Sequence, residues 1–447
     1  MTTLADVLRL QKTTNILTSP TIPQDDKTED TVKASTSSTL NIALQNQTSS
    51  STVYAYITGL AIDNNNALFL LESDGQTAYY PSSPSSNLSP LGANCAIPLG
   101  APGNTVTVTI PQLAGARLWF SQDSTLTFYL NPGPALVEPS VSNTSDPNYN
   151  IYWDFCEFTF NSSELFANIT YVDFVCLPIS LTLTNTSGAT QHVAGLPSNG
   201  LDTICSGLTA QNAQDNAGWN QLIVTLNGAN LRALSPNTGI VMNSSLFSGY
   251  YQPYVDQVWS QYASATLTVD TQGSYGSVNG TVSNGVLDFS GVTTYSQPAA
   301  ADIFSCSSGP FTPTGNAEID AITARLAAAF NRSTLLIDSD QPDNEVVSTY
   351  YQNTVTNHYA RIVHAANLDG RGYAFPYDDV GPSGGADQSG SISDPNPQLL
   401  TVAVGGANAT AGPVAVPKKT VTSDTRRGLR GLIKWLLAKL RVHVRLH

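Results

Sequence analysis

WDFCEFTFNSSELFANITYVDFVCLP, residues 153–178, decides how this chain is read. It reads as two short strands, CEFTFN and TYVDFVC, joined by a loop near Leu165. Each strand carries one acidic residue, Glu157 or Asp173, within an apolar and aromatic run. Strand alternation puts Cys156, Phe158 and Phe160 on one face and Glu157, Thr159 and Asn161 on the other. In the second strand Val172, Phe174 and Cys176 form the core face, with Asp173 opposite. A hairpin would bring Glu157 and Asp173 to one face of adjacent strands, ~4.5–5.5 Å apart at Cβ if facing and ~7–8 Å if diagonal. Two such carboxylates repel, which raises the pKa of one. Glycoside hydrolysis uses a pair of this kind, one carboxyl as proton donor and the other to activate water or attack carbon. The alternative is two solvated residues on an open sheet face.

Upstream, LNIALQN, VYAYITGLAI, NALFLLE, NTVTVTIPQL, ARLWFSQ and STLTFYL are further short strands between turn residues, the spacing of a β-sandwich or barrel. After about residue 200, GWNQLIVTLNGANLRAL, SGYYQPYVDQVWSQYASA and NAEIDAITARLAAAFN have helical periodicity, with the strand-like ATLTVDT and VLDFSG between them. Strand signals return in YARIVHAANL and GYAFPYDDV. The expected organisation is a polar arm (1–37), a β domain from both flanks (38–200 and 341–400), a mixed α/β insertion (201–340), a linker (401–422) and a basic amphipathic helix (423–447).

The 447 residues carry a net charge of −14 that hides a split. Residues 1–417 hold ten Lys or Arg against thirty-two Asp or Glu, a net of −22, whereas residues 418–447 carry +8. An acidic body repels nucleic acid but not a neutral sugar. Sequons begin at Asn46, Asn87, Asn143, Asn161, Asn168, Asn185, Asn243, Asn279, Asn331 and Asn408, which favours a secreted, extracellular or cell-wall protein. The start, MTTLADVLRLQKTTNILTSP, lacks the pattern of a signal peptide, and no apolar run reaches the ~18 residues of a membrane span. The five cysteines form no C-x-x-C pair, so no structural zinc site is expected.

The segment with Glu157 and Asp173 sixteen residues apart resembles glycoside hydrolase family 64, as do NLRALSPNTGI (230–240), FNRSTLL (330–336), YYQNTVTNHYARIVHA (350–365) and GYAFPYDDVG (372–381). The likeness runs in order from about residue 38 to 400. It implies a laminaripentaose-producing β-1,3-glucanase, mainly β with an α/β insertion, in which a thaumatin-like β-barrel or sandwich domain and a mixed α/β domain flank a wide cleft.

 That family's fold is related to thaumatin-like proteins, and its implied reaction inverts the anomeric centre, with Glu157 as general acid and Asp173 as general base. An inverting pair stands ~6.5–9.5 Å apart, which favours the diagonal register. The resemblance further assigns sugar contacts to Thr159, Asn161, Phe166, Thr170, Asp378 and Asp379. Thr170 needs a bend near Ile169 to reach the sugar, Phe166 stands where bacterial members have Trp, and Asp378–Asp379 also fits an Asx turn. No cofactor or metal is implied, and a monomer acting on β-1,3-glucan is expected, releasing short laminari-oligosaccharides. The alternative is a non-catalytic glucan-binding thaumatin-like protein. Two features depart from the family. Ala328 or Ala329 replaces the partner of Cys306, and the tail RRGLRGLIKWLLAKLRVHVRLH has no counterpart there. Its leucines form one stripe ringed by Arg and Lys, the pattern of an interfacial membrane helix or of a helix held against the acidic body.

Overall fold

Alternating β-branched and aromatic residues drive most of the first half of the chain into antiparallel strands. The structure, a computed structural model, describes residues 36–406. The arm up to residue 35 and the basic helix expected at 423–447 lie outside the described residues.

One eight-stranded sheet runs in the order Ser391–Asp394, Leu165–Ile169, Tyr152–Phe160, Leu113–Gln122, Val53–Ala61, Ala67–Leu71 and Ala78–Tyr79, with Ile97–Pro98 paired onto Val53–Ala61. A five-stranded sheet has the order Thr190–Val193, Ile179–Asn185, Pro397–Val404, Thr39–Asn46 and Thr105–Pro111. Leu165–Ile169 and Ser391–Asp394 of the first sheet touch Ile179–Asn185 of the second. Phe158, Phe160, Ile42, Leu44, Leu181 and Val402 are buried in one continuous core. The fold is mainly β, with an α/β portion inserted.

The two flanks meet in a parallel pair, Thr39–Asn46 with Pro397–Val404. This strand runs past the boundary expected at residue 400, and Val402 and Val404 are fully buried. Gly405 and Gly406, expected in the linker, are packed against the body. Their φ values are 117° and 92°, and a Cβ on Gly405 would lie 2.3 Å from the Thr48 nitrogen.

Six helices fall in the α/β portion: α1 Gly200–Asp215, α2 Pro236–Met242, α3 Gln252–Tyr262, α4 Ala300–Ser305, α5 Ala317–Arg332 and α6 His358–Ala366. Helix α3 buries Tyr254, Val255, Val258, Trp259 and Tyr262 at helical spacing. Helix α5 is capped by Asn316, whose side chain accepts from Glu318 N and Ile319 N, and it buries Ile322, Leu326 and Phe330. A five-stranded sheet from Leu267–Asp270 to Asp340–Gln341 completes this portion.

Three local expectations are corrected. YARIVHAANL forms helix α6, capped by Asn357 accepting from Ala360 N, and GYAFPYDDV is turns with a single bridge at Tyr373. The chain therefore rejoins the large sheets only at Ser391. GWNQLIVTLNGANLRAL is a short 3-10 turn followed by the hairpin Ile223–Leu226/Ala229–Leu234, because Asn227 and Gly228 take φ of 51° and 83°. All five cysteines are buried free thiols, Cys156 and Cys176 included.

Candidate active site

Glu157 lies mid-strand in Tyr152–Phe160, opposite Arg117 on one side and Asn168 on the other. It is only 7% exposed. Arg117 Nε donates to Glu157 Oε1 at 3.4 Å, and Arg117 Nη1 engages Glu138 Oε2. The guanidinium lies over the rings of Phe155 (4.9 Å) and Trp119 (5.5 Å), which hold it in place. The pleat shared by Glu157 and Thr159 is thus not a purely polar row. It continues through Phe155 and Trp153, which pack with Trp119 at 4.8 and 5.8 Å between ring centroids.

The expected hairpin of Glu157 with Asp173 is corrected, because Asn168 occupies the position opposite Glu157. The partner strand stops at Ile169 and the chain bends at Val172–Asp173. Several anchors from other elements make this bend. Thr170 forms a bridge with Tyr373, and Tyr171 N donates to Tyr373 O at 2.7 Å. The Tyr359 hydroxyl on α6 donates to Tyr171 O at 2.7 Å. Ser235 N donates to Asp173 O at 2.9 Å, and Phe174–Val175 pairs with Ala233–Leu234. Asp173 is left 6% exposed.

Asp154 completes the bend and was missed in the sequence. Its Oδ2 accepts from Cys176 N (2.8 Å) and Leu177 N (3.0 Å), and its Oδ1 from Phe155 N (2.8 Å). Burial pushes this carboxyl up to about 7, against the opposing pull of those three N–H groups and Arg232. The only signal for it was its place among the four acids of the opening stretch, Asp154, Glu157, Glu164 and Asp173.

The remaining candidates separate by environment. Thr159 and Thr170 are buried, Thr159 shares a pleat with Glu157, and Thr159 Oγ1 accepts from Gly115 N at 3.4 Å. Thr170 Oγ1 is buried without a hydrogen-bond partner among the described residues. Phe166 is half-buried, opposite Thr159 and Ser393. Asn161 lies beyond the strand end, and its Oδ1 accepts from Ser163 N (2.8 Å) and Glu164 N (3.1 Å), closing a turn. Asp379 is half-buried and accepts from the Tyr373 hydroxyl at 2.7 Å, which ties it to the bridge at Thr170.

Asp378, expected as a sugar contact, lies in the interior. Its side chain is 0% exposed and is occupied by Arg332 Nη2 (3.1 Å), His364 Nε2 (2.8 Å) and Ala374 N (2.9 Å). Arg332 also faces Glu345 at 3.5 Å, so FNRSTLL and the PYDDV turn are joined by a buried ion network. Among the described residues, no cluster of three metal-ligating side chains occurs.

The sequence profile of glycoside hydrolase family 64, described as β-1,3-glucanase, matches residues 38–404. The chain belongs to glycoside hydrolase family 64. Two family relatives, glucan endo-1,3-β-glucosidases from Arthrobacter sp. (strain YCWD3) and Cellulosimicrobium cellulans, are each 30% identical over 336 residues, 73% of this chain. The chain spans 58% of the length of these curated relatives. A laminaripentaose-producing β-1,3-glucanase solved in complex with laminaritetraose is 31% identical, with a TM-score of 0.73 over 82% of this chain and 98% of that one. A family 64 β-1,3-glucanase domain from Clostridium beijerinckii, 21% identical, shares the fold at a TM-score of 0.63 over 82% of this chain and 98% of its own.

Proposed function

We propose that this chain hydrolyses β-1,3-glucan by a single inverting displacement and releases short laminari-oligosaccharides. Glu157 is the general acid that protonates the leaving glycosidic oxygen. Asp173 is the general base that takes a proton from the attacking water. The observation that carries this reading is the placement of two largely buried carboxylates on one strand and on the bend that follows its hairpin partner, within the region matched by the family. Burial of this kind gives an acid–base pair the low-dielectric surroundings in which proton transfer is controlled. Asn168, and not Asp173, faces Glu157 directly, and a displaced second carboxylate supports the wider spacing that admits a water.

Thr159, Thr170, Phe166 and Asp379 are the proposed sugar contacts, with Asn168 added to them. The unpartnered hydroxyl of Thr170 supports its role, because a sugar hydroxyl would satisfy it. Asn161 shapes the turn beside Phe166, and Asp378 supports the Asp379 turn from within. The substrate lies in the cleft between the β and α/β portions.

The test is incubation of the full chain with laminarin and with curdlan, sizing the products and following the first reducing end by proton NMR. Laminari-oligosaccharides with the α-anomer first are expected. Binding without hydrolysis would favour a glucan-binding protein, and a β-anomer appearing first would exclude inversion.

A further inference from the structure

An arginine beside a proton donor is a chemical problem. A cation within hydrogen-bond reach favours the carboxylate, whereas a general acid must hold its proton. Arg117 sits in register with Glu157, with Nε 3.4 Å from Oε1. The same guanidinium also engages Glu138, which follows the strand Ala135–Val137 of a separate three-stranded sheet. Packing over Phe155 and Trp119 keeps the guanidinium from swinging away from either carboxyl. All three side chains are at most one-quarter exposed, at 14% for Arg117, 24% for Glu138 and 9% for Glu157, so their interaction is only partly screened.

We propose that Glu138 and Arg117 are positioning residues that set the charge around Glu157, with Glu138 neutralising Arg117 so that Glu157 keeps its proton at working pH. This rests on the reading of Glu157 as the general acid. Arg117 orients the Glu157 carboxyl and stabilises the carboxylate once the proton has left. Glu138 limits that attraction beforehand. The other groups near Glu157 fit this arrangement. Asn168, on the opposite strand, is uncharged. Asp173, on the bend, is the second carboxylate of the proposed pair. Asp154 and the Cys156 thiol belong to the other pleat of the same strand.

The test is the pH profile of kcat/KM on laminarin, whose alkaline limb follows loss of the donor's proton. Glu138→Gln leaves Arg117 uncompensated, so the limb should move down by about 1 pH unit or more. Arg117→Met should move it up, with Arg117→Lys as the substitute if Met prevents folding. A purely structural role would lower activity at every pH and leave the limb in place. An unmoved limb in folded Glu138→Gln, beside an inactive Glu157→Gln, would overturn the charge-setting role alone. A Glu157→Gln protein with normal turnover would overturn the acid assignment itself.

Discussion

Asp154 offers a way to weaken the bend that carries Asp173 without touching the proposed acid–base pair. Its carboxylate accepts from three backbone N–H groups, those of Phe155, Cys176 and Leu177, and it is 1% exposed. Asp154→Ala leaves all three donors without this acceptor. A buried unsatisfied donor costs about 1–3 kcal/mol, so a loss of roughly 3–6 kcal/mol is expected after some relaxation. Asp154→Asn keeps one acceptor oxygen and should cost about 1–3 kcal/mol. The same residue also makes stability depend on pH. Its folded value of about 7 lies above the ordinary 3.8, so the folded state holds this proton more tightly. Its contribution is fully present below pH 3.8 and is lost as pH rises through about 7. Across that window the unfolding free energy should fall by about 1.4 kcal/mol per pH unit from this group, a slope absent in Asp154→Asn. Urea unfolding of both proteins from pH 4 to 8 reads the difference directly. A difference that stays constant with pH, or grows as pH rises, would mean that the three N–H groups keep Asp154 ionised and would refute the reasoning. With the bend loosened, kcat should fall by more than stability alone predicts, because a displacement of ~1 Å at a reacting group costs about 100-fold.

Glu157→Gln and Asp173→Asn should each lower glucan hydrolysis by about 100- to 10,000-fold with an unchanged melting temperature, since shape is kept and only proton chemistry removed. Near-normal turnover in either would defeat the assignment. Asp378→Asn should destabilise the fold by about 3–5 kcal/mol, measured by urea unfolding, because it leaves Arg332 short of one buried partner. A surface-like loss below about 0.5 kcal/mol would return Asp378 to the list of sugar contacts. Ending the chain after Gly406 should leave activity intact, whereas ending it after Leu400 removes buried Val402 and Val404 from the parallel pair and should abolish folding. Equal behaviour of the two truncations, followed by circular dichroism and glucanase assay, would place the domain boundary elsewhere.

Strand-period segments such as LNIALQN and VYAYITGLA were legible because alternation and β-branched composition are local properties, and both form strands. The long helices α3 and α5 were legible for the matching reason, a 3.6-residue apolar stripe over eleven and sixteen residues. Helix α1 was not, because its apolar positions are few, with only Ile204, Cys205 and Leu208 among its buried large side chains. The two acids, Glu157 and Asp173, could be named from sequence, but not how the chain relates them. A hairpin was the simplest local solution, and it was wrong because residues distant in sequence compete for the same backbone groups. Tyr373, Tyr359, Ser235 and Asp154 take the hydrogen bonds of residues 171–177 and turn the chain out of the sheet. The partners of Asp378 were hidden for the same reason, since only the fold brings Arg332 and His364 to its carboxylate. Local periodicity is written along the chain, whereas the partners of a buried polar group are set by what tertiary packing brings within about 3 Å of it.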